Sequence, residues 1–160
     1  MADTLRELLL IAIKSEIDSM EVYKTLSERV KNYILKDRLR FLADEEEKHK
    51  AYLEAVYTSE FGEEPKDFPE NEDFPLPQVD ASDEQRPIAD IIKDAMEAEL
   101  EAKKFYLKMA PMFKDEETRK MIEILASMEQ SHYELLKQEL EHLKEIENYE
   151  NIWPMTHVGP

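Results

Sequence analysis

Apolar residues along this chain recur at alternating spacings of four and three, the seam of an antiparallel helical bundle. In the first such stretch the shared face is Leu5, Leu9, Ala12, Glu16, Ser19, Tyr23, Leu26 and Val30. Asp3-Thr4 followed by Glu7 supplies an N-cap with a capping box at its start. Asn32 marks the break, and a second helix is expected from about Tyr33 to Ser59, with Leu39, Leu42, Glu46, His49, Leu53 and Val56 inward. Pro87 suits the first turn of a third helix, whose face carries Ile88, Ile92, Ala95, Glu99, Ala102, Tyr106, Met109 and Phe113. Pro111 should kink or end it. Asp115 can cap a fourth helix, running to about Asn148 and presenting Ile122, Leu125, Glu129, His132, Leu136 and Leu140.

The texture changes between the second and third helices. Residues 60–86 hold Pro65, Pro69, Pro75 and Pro77 among acidic residues, with neither helical nor strand period. A segment of that length can reach about 90 Å, against about 40 Å for the helix before it. It can therefore return along the bundle and start the third helix parallel to the second, with Phe68, Phe74, Leu76 and Val79 packed on the helices. The expected layout is one bundle over residues 1–147: hairpin 1 at about 4–59, a crossover at 60–86, hairpin 2 at about 87–147. A tail follows at 148–160, in which Trp153 is expected to dock on the bundle or on a second subunit.

Polar residues interrupt all four apolar stripes, and they repeat. Adding 83 to a residue number carries Glu16 to Glu99, Glu46 to Glu129 and His49 to His132, and also Ala12 to Ala95, Tyr23 to Tyr106, Leu42 to Leu125 and Leu53 to Leu136. The shift selects Glu46 within the run Glu45-Glu46-Glu47, since its neighbours map to Met128 and Gln130. Counted from Asn32, Glu16 lies 16 residues back, and Glu46 and His49 lie 14 and 17 forward. At about 1.5 Å per residue these are roughly 24, 21 and 26 Å from the turn, one common level. Counts from Asp115 to Glu99, Glu129 and His132 are the same. Six inward side chains should therefore meet at mid-height.

Four carboxylates in an apolar interior repel one another, and each loses several kcal/mol of hydration. Two divalent cations neutralise them, with each imidazole completing a coordination sphere. Oxygen-rich ligation with one His per metal and no sulfur suits iron or manganese better than a structural zinc site. Tyr23 and Tyr106 lie two turns from Glu16 and Glu99, and their buried hydroxyls need partners, as core packing or as support for the ligands. His142 and His157 lack matched partners and read as surface residues or oligomer contacts.

Composition narrows the class. The chain of 160 residues has only two Gly, and 37% of it is charged, which favours long helices over a many-turned sheet. It has no Cys, which excludes disulfides, a thiol nucleophile and cysteine-held iron within it. The net charge of −17 disfavours nucleic acid and anionic membrane surfaces as partners. No secretory layout or membrane-length apolar run is present, so a cytoplasmic protein is expected.

The ligand pattern, one Glu from each of two helices and Glu-x-x-His from each of the other two, resembles the ferritin-like di-iron carboxylate superfamily, for which it is a known signature. Ala12/Glu16/Tyr23, Ala95/Glu99/Tyr106 and Leu-Ala-x-x-Glu-x-x-His at Leu42–His49 look most like rubrerythrin. The resemblance implies an all-α, ferritin-like antiparallel four-helix bundle built from two repeated hairpins. It implies two iron ions per chain, with manganese or zinc able to substitute: one on Glu16 and His49, one on Glu99 and His132, bridged by Glu46 and Glu129. There are departures. Rubrerythrins carry a further Glu one turn after the helix-3 ligand, part of their peroxide-reducing site, and that position here is Ala102. The rubredoxin domain is missing, so electrons would come from an external donor such as a rubredoxin. The ligand set that remains looks like bacterioferritin, yet Glu47 stands where that family has its haem-binding methionine.

Three functions are compatible with these residues. The first is a di-iron oxidoreductase reacting with hydrogen peroxide or dioxygen, with a role in oxidative stress. The second is a ferroxidase or iron-storage protein. The third is a metal-stabilised helical assembly module without turnover. A homodimer or higher homo-oligomer is expected under each.

Overall fold

The computed structural model describes residues 4–70 and 74–152, with side chains through residue 146. Four helices carry the chain: α1 (Leu5–Arg29), α2 (Tyr33–Phe61), α3 (Ile88–Met109) and α4 (Glu116–Ile152). No strand occurs among the described residues. This is the four-helix bundle expected from the sequence. α4 continues about four residues past its expected end, and Trp153 and His157 lie outside the described residues.

The helix ends form where local chemistry dictates. Thr4 caps α1, accepting from the Glu7 N–H while the Glu7 carboxylate accepts from the Thr4 N–H. The Asn32 side chain accepts from the N–H groups of Ile34 and Leu35 at 2.9 and 3.1 Å. Gly62 ends α2 in the left-handed conformation, φ 69°. Pro87 stands at the N-cap of α3, one position before the first turn, and its carbonyl accepts from Asp90 and Ile91. Pro111 converts the end of α3 into a 3-10 turn, Ala110–Met112, and Asp115 caps α4 through the Thr118 N–H.

α1 packs chiefly on α2, and α3 on α4. The hairpins meet antiparallel, because Tyr23 of α1 bonds Glu99 of α3 while Glu16 bonds Tyr106. The crossover therefore runs the length of the bundle, as its length allows. Arg29 at the end of α1 ties its far end down, donating to the carbonyls of Glu84 and Arg86 at 3.1 and 2.9 Å. Phe68 packs on the core near the start of α1, and Val79 on the core near its end.

That core is two apolar clusters. One contains Leu9, Ile13, Leu53, Tyr106, Phe113 and Ile122, and the other Leu26, Leu39, Leu42, Ile92, Ala95 and Leu136. The shift of 83 exchanges them: Leu53 lies in the first and Leu136 in the second, and Ala12 and Ala95 divide likewise. The polar layer lies between.

Candidate metal centre

All six polar residues expected in the seams are buried, none more than 3% exposed. They are in place because each occupies an inward helical position opposite another: α2 and α4 run antiparallel, so His49 faces Glu129 while Glu46 faces His132. His49 Nδ1 stands 3.0 Å from Glu129, 3.3 Å from Glu46 and 3.6 Å from Glu16. His132 Nδ1 stands 3.3 Å from Glu46, 3.6 Å from Glu129 and 3.7 Å from Glu99. The two imidazoles lie nearly parallel, 5.5 Å apart.

The donors divide into two groups able to hold a metal ion: Glu16, Glu46, His49 and Glu129, and Glu46, Glu99, Glu129 and His132. Within each, one atom per residue lies within 4.8 Å of the others. That is close to the roughly 4 Å spanned by opposite ligands at about 2.1 Å from one ion. Glu46 and Glu129 belong to both groups.

Hydrogen bonding leaves room for cations. Both carboxylate oxygens of Glu46, Glu16 Oε2, His49 Nε2 and His132 Nδ1 are buried without a hydrogen-bond partner. Buried polar atoms are ordinarily satisfied, and all of the unsatisfied ones except Arg119 Nε belong to the six residues of this layer. The residues fit the metal ions that their pattern implies.

Electrostatics divides the four acids. Burial, reinforced by the charges of the other acids, pushes the carboxyls of Glu46 and Glu129 well above the usual range. Burial acts the same way on Glu99, but contacts with Glu129 and His132 and the hydrogen bond from Tyr23 outweigh it and bring the group to about 2. Glu16 is lowered similarly, burial being outweighed by Glu46, His49 and Tyr106. Burial opposes the imidazolium of His49, yet Glu129, Glu16 and Glu46 raise it to about 12, and His132 is raised by the same kind of contact. Protonated shared acids and charged imidazoles are the arrangement that two cations would replace.

Sequence reasoning left one relationship unread. The Tyr23 hydroxyl donates to Glu99 and the Tyr106 hydroxyl to Glu16. Each tyrosine thus holds a carboxylate of the opposite hairpin. The signal was available: buried tyrosines at equivalent positions of two antiparallel helices fall level with each other's Glu.

A model of the family described as Rubrerythrin matches residues 7–140. The chain belongs to the rubrerythrin family. Rubrerythrins are ferritin-like di-iron proteins, and the buried Glu/His layer lies within the matched segment. A hypothetical protein from Pyrococcus furiosus is similar in structure, with a TM-score of 0.79 and 38% identity over 89% of this rubrerythrin-family chain and 91% of that one. No curated protein matches. Among the described residues, no helix is long and apolar enough to cross a membrane.

Proposed function

We propose that this rubrerythrin-family chain is a di-iron oxidoreductase that reduces hydrogen peroxide or dioxygen with electrons from an external donor. The observation that carries the reading is the pair of buried donor groups sharing Glu46 and Glu129. Glu16 and His49 would hold one iron, Glu99 and His132 the other, and the shared acids would bridge them. A bound ferrous pair supplies one electron per ion, enough with two protons to convert one hydrogen peroxide to two waters.

The chain's own residues prepare that centre. Four carboxylates balance two divalent ions, and the apolar clusters above and below keep bulk water out. Tyr23 and Tyr106 fix the non-shared carboxylates by donating to them. Both tyrosines are well above their ordinary pKa, through burial and the neighbouring acids, so they remain donors across the physiological range. These 160 residues hold no Cys, so the electrons come from outside them, and a rubredoxin is the donor we propose. A cytoplasmic homodimer is the setting we propose.

A second reading, ferroxidase chemistry in iron handling, draws on Ala102, which stands where rubrerythrins have a further Glu. The neighbouring Glu101 is half-exposed and pairs with Lys104 at 2.7 Å. Mixing the anaerobic diferrous protein with peroxide and, separately, with dioxygen, together with iron loading, decides between them. Oxidation by either reagent faster than that of free ferrous ion supports the first reading, and iron uptake well beyond two ions per chain on loading supports the second. Oxidation no faster than that of free ferrous ion by either reagent leaves the third, a metal-stabilised assembly module.

A further inference from the structure

The six donors are sealed from solvent, so whatever oxidant reaches them must pass a wall of side chains. One cavity reaches a residue that touches them. A cavity of about 20 Å³ lies between α1 and α3, beneath the crossover, and Tyr23 forms part of its lining. Tyr23 is also the residue bonded to Glu99, so one side chain both lines the cavity and touches the buried layer. By contrast, the larger cleft between α2 and α4 is lined by Arg38, Glu134 and Gln138, outside the layer.

Size and charge define what the cavity can take. A water needs roughly 10–15 Å³ of such space, so this cavity holds one water-sized molecule and no hydrated metal cation. Its lining is mainly apolar, with Val79, Ala95 and Ala98 on it, and the Ser19 side chain offers a hydroxyl. Asp18 on the rim is paired with Lys14 at 2.6 Å. The same Lys14 ammonium lies over the ring of Phe74, 5.0 Å from its centre, and holds that ring against the cavity.

We propose that this cavity is the entry for the oxidant, a neutral molecule the size of dioxygen or hydrogen peroxide, and that Phe74 of the crossover closes its mouth. The proposal rests on the oxidant-reducing reading above. It also separates oxidant entry from iron entry, since a hydrated cation has to arrive elsewhere.

Two experiments test it. In zinc-loaded protein, which is diamagnetic, dissolved dioxygen should speed relaxation of methyl protons beside the cavity. Ala95 and Ala12 provide an internal comparison, being equivalent under the shift of 83 and buried alike at 2% and 1% exposed, with only Ala95 among the residues lining this cavity. Faster oxygen-induced relaxation at Ala95 than at Ala12 supports the route, and equal relaxation overturns it, whatever the chemistry of the iron form. In the diferrous protein, Ala98→Leu should slow oxidation about tenfold and Phe74→Ala should speed it about threefold, both with iron content unchanged. Acceleration by Phe74→Ala with the Tm of the zinc-loaded variant unchanged reports an opened mouth and not a loosened bundle. Wild-type rates in both fully loaded variants overturn the route. A wild-type protein that oxidises no faster than free iron refutes the functional reading instead, and the zinc experiment still reads the cavity.

Discussion

Tyr23 of α1 donates its hydroxyl to Glu99 of α3, and the shift that maps Tyr23 onto Tyr106 maps this bond onto the one from Tyr106 to Glu16. Each hairpin therefore fixes a carboxylate of the other. Hydrogen bonds to a charged group contribute about 1.5–3 kcal/mol, and loss of a partner that orients a ligand weakens metal binding about 10–100-fold. Tyr23→Phe should weaken the position held by Glu99 and His132, and Tyr106→Phe the one held by Glu16 and His49. Calorimetric titration with zinc measures both steps. Equal weakening of the two steps by either substitution would show that the tyrosines act on packing and not on individual ligands.

Sharing of Glu46 and Glu129 by both donor groups makes the six residues unequal. Glu16→Ala removes a donor from one group, so the other should keep its ion. Glu46→Ala removes a donor from both and should abolish retention of either. Elemental analysis after dialysis against a weak chelator reads the stoichiometry: about one ion for the first variant and none for the second. Equal losses from the two substitutions would refute the shared geometry.

The helices and the inward layer were legible because a duplicated pattern picks out Glu46 from its acidic neighbours and sets equal heights in both hairpins. Other features depend on what lies against a helix from outside. Leu8, Leu10, Ile11 and Ile13 fall off the expected stripe of α1 yet are buried. A four-three seam describes burial against one neighbour, and α1 is covered by α2, α3 and the crossover. Ile91 beside the stripe of α3 is buried too. Glu139, only 5% exposed, sits 3.6 Å from Arg38 across the α2–α4 interface, a pairing set by the register between helices and invisible in either helix alone.

Gly62 marks the point where α2 gives way to the crossover, with φ at 69°. A Cβ placed there would meet nothing within 4 Å. Gly62→Ala should therefore cost only the backbone strain of the left-handed conformation, about 1–2 kcal/mol. For a chain of this size that is a fall in Tm of about 2–4 °C per kcal/mol. Calorimetry of the metal-loaded protein tests it, and an unchanged or higher Tm would show that α2 ends without the left-handed residue.

Removal of metal should invert the pH dependence of stability. Glu46 and Glu129 are raised well above their unfolded value of 4.5, so their contribution is full below that pH and is lost as pH rises through their folded values. His49, raised from 6.5 to about 12, acts in the same sense above neutrality, as does His132. Glu99, lowered from 4.5 to about 2, contributes fully above 4.5 and loses that contribution as pH falls toward 2, and Glu16 follows it. Chelated protein should thus be most stable near pH 4.5 and less stable at pH 7. A divalent cation needs the shared acids ionised and the imidazoles neutral, so its binding strengthens with pH and restores stability at neutrality. Denaturant titrations at both pH values, with chelator and with excess zinc, measure the difference. A chelated protein that gained stability from pH 4.5 to 7 would show that the buried acids carry their charges without cations, and would remove the electrostatic case for a metal pair.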